Sequence, residues 1–123
     1  MIENLSQKQF EKALQDLGNP RGKQAEFLKV HAQSSGRAMT MKRLAEETGY
    51  RSWRGMNLQY GILAHEIGIA AGLREEDFPD PNIILLVDFV PPVHKSADNI
   101  SNSEWILIMK EPFVKALKAV KWI

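Results

Sequence analysis

The sequence predicts a mainly helical α+β domain, with a two-stranded β-hairpin and a C-terminal helix after four earlier helices. Three observations carry this. Apolar residues recur at helical spacing in the first 70 positions. A near-continuous apolar run, Ile83 to Val90, is short and rich in strand formers. A second such run, Trp105 to Met109, follows a polar stretch and precedes another helical pattern.

Each element has its own signal. Ser6-Gln7-Lys8-Gln9 matches a capping box, and Phe10, Ala13, Leu14 and Leu17 mark one buried side. Gly18-Asn19-Pro20 ends that helix, so residues 1–22 read as an N-terminal helical extension. A second helix spans about Lys23 to Gln33, with Phe27, Leu28 and Val30 inward, and Ser34-Ser35-Gly36 stops it. His31 lies near the apolar side and reads as a satisfied, partly buried histidine, since no second ligand stands at metal spacing. Thr40 is a good N-cap for a short helix, Met41 to Thr48, which Gly49 closes in the left-handed conformation. After a tight turn, Ser52 caps a longer helix from Trp53 to about Ala71, terminated by Gly72.

In that longer helix Met56, Tyr60, Leu63 and Ile67 step by four, three and four. Burying four such side chains contributes about 6–12 kcal/mol before conformational entropy is subtracted, enough to fix which face turns inward. Arg54, Gly61 and His65 then fall on the opposite face, with Asn57 on its flank. Asn57, Gly61, Ala64 and Gly68 form a strip of small residues. Two glycines, each costing a helix about 1 kcal/mol, imply close approach by another element or by a phosphate backbone.

Residues 74–82 read as an acidic, proline-bearing loop. Residues 83–109 read as the hairpin, its long tip holding His94, Lys95, Asp98 and Asn99. Pro112 opens a last helix over 112–121, with Phe113, Leu117 and Val120 inward; Trp122 and Ile123 pack behind it. No repeat, low-complexity segment or dividing linker is present, so residues 1–123 read as one domain.

Composition narrows the function classes. The chain is 44% apolar and 25% charged, ordinary for a globular domain. At 123 residues it buries roughly two-thirds of the surface its unfolded form exposes. It has no cysteine, which excludes disulfides, thiolate zinc sites and a cysteine nucleophile, and fits a reducing, cytoplasmic setting. No signal-peptide core or membrane-length stretch appears, so no membrane association is expected. Asn99-Ile100-Ser101 matches a glycosylation acceptor, read here as chance.

Enzymatic signals are weak. The three histidines stand apart, His65-Glu66 lacks the second histidine of a zinc protease motif, and no serine occupies a nucleophile elbow. No glycine-rich phosphate loop follows a strand. The expectation is a protein that binds without catalysing and needs no cofactor.

Net charge is +1, but it is unevenly spread. Residues 20–54 hold eight bases against three acids, net +5, whereas residues 55–123 hold six bases against nine acids, net −3.

The short helix, glycine-containing turn and longer helix, followed by a hairpin and a helix, resemble the winged helix-turn-helix superfamily from about Gln24 to Val120. The residues that carry it are Thr40, Leu44-Ala45-Glu46, Gly49-Tyr50 and Ser52. More narrowly, residues 49–64, with Asn57-Leu58-Gln59-Tyr60-Gly61 at their centre, are similar to a small accessory helical domain found beside bacterial HNH-type restriction nucleases. A strand and final helix resembling Trp105 to Leu117 close that domain. No HNH module is present here, so cleavage is not carried over.

The resemblance implies duplex-DNA binding, in a phage-defence, restriction or regulatory setting. The opening turn of the second helix of the motif would face base edges, which selects Arg51, Ser52, Trp53, Arg54 and Asn57. Arg reads guanine and Asn adenine through paired hydrogen bonds. Thr40, Lys42 and Arg43 would sit beside the phosphate backbone, and Lys95 in the hairpin tip would reach a minor groove or phosphate. Neutralising about four to six phosphates would give a log–log salt slope of about −4 to −5. Each residue also has a plain structural role open to it: the arginines as solvated charges, Trp53 as a core or staple residue, Tyr60 as core.

A second reading is a protein-interaction or inhibitor module on the same fold, acting on a nuclease or regulator. Near-neutral overall charge, a poorly basic hairpin tip and the acidic stretch at 75–80 favour it. Either a monomer or a homodimer through the first and last helices fits the sequence.

Overall fold

Ser6 caps the first helix as expected: its Oγ accepts from the Gln9 N–H at 3.1 Å and its own N–H donates to Gln9 Oε1 at 2.8 Å. The computed structural model describes residues 2–92, 100–101 and 103–123. Helix α1 spans Gln7–Leu17, α2 Gln24–Gln33, α3 Met41–Thr48, α4 Trp53–Ala70 and α5 Glu111–Ala119. Strand β1 is Ala38–Thr40, β2 Val87–Val90 and β3 Ile106–Met109. The fold is α+β, with a three-stranded antiparallel sheet ordered β1-β3-β2.

The sheet corrects the sequence reading twice. First, β1 was not expected, because Ser34-Ser35-Gly36 read only as a stop. A 3-10 turn over Ser35–Arg37 with Gly36 and Arg37 at positive φ reverses the chain, and Ala38–Thr40 then pairs with Ile106–Ile108. The hairpin therefore gains a third strand. Second, Ile83 to Val90 is not one strand. Asn82–Leu85 forms a 3-10 turn, and only Val87–Val90 enters the sheet. Ile83 and Leu85 are apolar because they bury in the core beside α4, not because they alternate across a sheet. Pro79 and Pro81 also supply no N–H for a ladder.

Register fixes the inner face of the sheet. Met39, Leu107 and Phe89 lie opposite one another, as do Met109 and Val87; the first two of the trio, with Met109 and Val87, are buried. Ala38, Ile108 and Asp88 share the outer face, with Asp88 exposed.

The core joins every helix. Phe10 of α1 meets Phe113 of α5 with ring centroids 5.1 Å apart, and Phe27 of α2 meets Tyr60 of α4 at 5.0 Å. Met56, Tyr60, Leu63 and Ile67 are all buried, as their spacing predicts. Trp122 is buried and donates from Nε1 to the Gly18 carbonyl at 3.0 Å, tying the end of the chain to the end of α1.

His31 is fully rather than partly buried. Its Nε2 lies 2.8 Å from the Leu107 carbonyl and its Nδ1 2.8 Å from Tyr60 Oη. Burial pushes the His31 pKa below its usual value, outweighing the hydrogen bonds that favour its charged form. Lys110, also buried, donates from Nζ to the Glu3 carbonyl at 2.6 Å and to Asn4 Oδ1 at 3.2 Å, pinning the N-terminal segment; burial lowers its pKa.

The glycine strip on α4 resolves into packing. A Cβ on Gly68 would stand 2.4 Å from Phe78 Cε1 and 3.1 Å from Leu85 Cδ1. On Gly61 it would meet Asn82 Oδ1 at 3.5 Å, an ordinary contact. The close approach at Gly68 is thus made by the chain's own 78–85 segment.

Candidate nucleic-acid interface

The turn from α3 to α4 is set by Gly49. At φ 78° and ψ 17° it adopts the left-handed cap, and both its N–H and that of Tyr50 reach the Ala45 carbonyl. Lys23 steadies the turn from outside, donating from Nζ to the Thr48 carbonyl at 2.8 Å and lying over the Tyr50 ring. Ser52 then caps α4, its Oγ accepting from the Gly55 N–H at 3.2 Å.

This turn gathers five of the expected residues. Arg51, Ser52, Arg54 and Asn57 are exposed, and Trp53 is half-buried against the core. The Arg54 guanidinium carbon lies 4.9 Å from the Trp53 ring centroid, a cation–π arrangement that holds the charge beside the indole. Neither arginine has a carboxylate partner among the described residues.

Thr40, Lys42 and Arg43 form a separate group at the other end of α3. Eight residues of helix, about 12 Å, separate that end from the turn. Thr40 Oγ1 accepts from the Arg43 N–H at 3.1 Å, and Arg43 Nε lies 3.2 Å from Glu47 Oε1. Lys42 is exposed. Lys95, with His94 and Asn99, lies outside the described residues.

The net charge of residues 20–54 therefore overstates the patch. Arg21 pairs with Glu66, Lys23 serves Thr48, and Arg37 donates from Nε to the Met109 carbonyl at 3.0 Å. Lys29, Lys42, Arg51 and Arg54 stay exposed with no carboxylate partner among the described residues. The acidic stretch runs away from the turn at one end and towards it at the other: Glu75 lies 2.8 Å from His65 Nε2, about 18 Å along α4 from Trp53, while exposed Asp80 directly precedes Pro81 beside Trp53 and Asn57.

Two features were missed by sequence reasoning. A cavity of about 460 Å³ opens beside the turn, lined by Trp53, Asn57, Pro81, Phe89 and Trp105. Phe89 and Trp105 face each other edge to face, centroids 6.4 Å apart. Only the sheet register brings Phe89 and Trp105 to the N-terminal end of α4. The second feature is a row of exposed apolar residues on α4: Leu58 (60% exposed), Ile62 (43%) and Ile69 (45%). Its signal was present in the sequence, at steps of four and seven on the face opposite the core stripe.

Among the described residues no three His, Cys, Asp or Glu side chains are placed to hold a metal ion, and no helix is long and apolar enough to cross a membrane. Comparison with known proteins finds no matching family model, no matching curated protein and no matching solved structure.

Proposed function

We propose that this chain is a non-catalytic duplex-DNA-binding protein of the winged helix-turn-helix type, working in the cytoplasm in a restriction, phage-defence or regulatory setting. The order α2, β1, α3, turn, α4, β2, β3, with sheet order β1-β3-β2, supports this reading. So does the resemblance of residues 49–64 to the accessory domain beside HNH nucleases. The observation that carries it is the opening turn of α4, where Arg51, Ser52, Arg54 and Asn57 stand exposed together.

In this reading α4 enters the major groove by its first turns. Arg54 and Asn57 meet base edges, while Arg51 contacts a phosphate. Lys42 and Arg43 hold the backbone across the groove, and Thr40 and Ser52 act as caps that set helix direction. Because several bases of the central third are used internally, about three to four phosphates are neutralised. Fluorescence anisotropy with a random duplex should give a log–log salt slope of about −3 to −4. A flat salt response, or no binding at low salt, removes the reading.

The Leu58, Ile62 and Ile69 row favours a second reading, a protein-interaction module on the same scaffold. A complex held by that row would tolerate salt and would be lost on Leu58→Lys with Ile62→Lys. Charge reversal at Arg51 and Arg54 would leave it intact.

A further inference from the structure

We infer that the cavity lined by Trp53, Asn57, Pro81, Phe89 and Trp105 receives a single unstacked nucleobase; in that complex Arg54 and Asn57, which meet base edges of a matched duplex, serve the extruded nucleotide instead, Arg54 through its phosphate. For a base carried by DNA, this rests on the duplex-binding reading above. The volume of about 460 Å³ lies in the range of small-ligand sites.

The lining selects the ligand class. Three of the five residues are aromatic, and they come from three different places: the start of α4, β2, and the residue before β3. None of the five is charged. Apart from the two indole N–H groups, the Asn57 amide is the one polar side-chain group among these described lining residues, and it offers both donors and an acceptor, as the Watson–Crick edge of a base requires. A sugar would need more polar partners, and an alkyl chain would need none.

The exposure of these rings is itself informative. Phe10, Phe27, Tyr60 and Phe113 are completely buried, so this core has no difficulty hiding aromatic rings. Trp53, Phe89 and Trp105 instead remain only partly buried around one opening. A planar base stacked there would take their open surface from water, a contact that tolerates any base identity. The Arg54 guanidinium carbon lies 4.9 Å from the centroid of the Trp53 ring, one of the lining rings, and from there it would reach for the phosphate of a base seated in the cavity.

A base within an intact duplex cannot enter such a site; it must leave the stack. That costs least where the base is already unpaired. The full chain should therefore bind a duplex with one unpaired base about tenfold more tightly than the matched duplex. With 2-aminopurine as the unpaired base, binding should change its fluorescence by stacking. Asn57→Ala, at an exposed helical position, and Trp105→Ala, checked for folding by circular dichroism, should each erase most of that preference. Trp105→Ala should leave matched-duplex affinity within about a factor of two, whereas Asn57→Ala, which also removes a proposed base contact, should lower it and is read by the ratio of unpaired to matched affinity.

Free nucleoside monophosphate, titrated against tryptophan fluorescence, separates the two sources of the ligand. Saturable quenching that is lost in Trp105→Ala supports the cavity even if no duplex binds, and in that case the DNA reading falls alone. Matched duplex bound, but with no preference for the unpaired base and no response to nucleotide, overturns the cavity and leaves the DNA reading standing. Retention of the preference in both variants also overturns it.

Discussion

His31 and Tyr60 are joined through Nδ1 and Oη at 2.8 Å inside a core that excludes water from both. The Leu107 carbonyl, 2.8 Å from Nε2, can only accept. Nε2 therefore carries the proton and Nδ1 accepts from the tyrosine hydroxyl. One neutral tautomer thus links α2, α4 and the central strand β3.

This link makes stability depend on pH. His31 resists protonation in the fold, while in the unfolded chain it titrates near 6.5. As pH falls below 6.5 the unfolded state binds the extra proton first, so stability is lost, by at most about 1.4 kcal/mol per pH unit for this one group. Urea denaturation between pH 7 and pH 5 should show the loss, and His31→Gln should flatten that part of the profile. Tyr60→Phe, which leaves Nδ1 unpaired, should cost about 1–3 kcal/mol at pH 7.

Gly61 and Gly68 of α4 should respond in opposite directions. Gly61→Ala meets only an ordinary contact and gains helix propensity, so stability should rise by about 0.5–1 kcal/mol. Gly68→Val must displace the Phe78 ring and Leu85, and should cost about 1–3 kcal/mol. Denaturant midpoints of the two variants check this, and a stabilised Gly68→Val would contradict the packing described.

Ser52→Ala should cost about 1 kcal/mol by freeing the Gly55 N–H. Because the capped turn also presents Arg51 and Arg54, the same variant should weaken duplex binding in excess of its effect on global stability. Parallel denaturation and anisotropy measurements separate the two effects.

Local signals in the sequence located the helices well, because each boundary is a chemical event at one or two residues. Ser6, Thr40 and Ser52 cap with their own oxygens, and Gly49 takes the left-handed angle. The sheet was harder to read. Ala38–Thr40 has no length to reveal alternation and becomes a strand only because Ile106–Ile108 pairs with it. Ile83 and Leu85 look like strand residues because burial under a helix and burial in a sheet demand the same apolar chemistry. At the site, the turn residues were legible as a basic segment with a cap. Their neighbours Phe89 and Trp105 were not, since tertiary pairing alone brings them there. Charge summed along the chain also misled, because Arg21, Lys23 and Arg37 are held by the protein's own groups.

The central claim is that the opening turn of α4 is the DNA-contacting surface. The most direct test is anisotropy with a random duplex at about 0.1 M salt, where the Debye length is about 10 Å, comparing wild type, Arg54→Glu with Arg51→Glu, and Lys118→Glu with Lys121→Glu as a control of equal charge change on exposed positions elsewhere. The account expects the first pair to weaken binding by at least about tenfold and the control by no more than about threefold, since charge separated by more than a Debye length is screened. Equal losses for the two pairs, or duplex affinity untouched by reversal at Arg51 and Arg54, would contradict it.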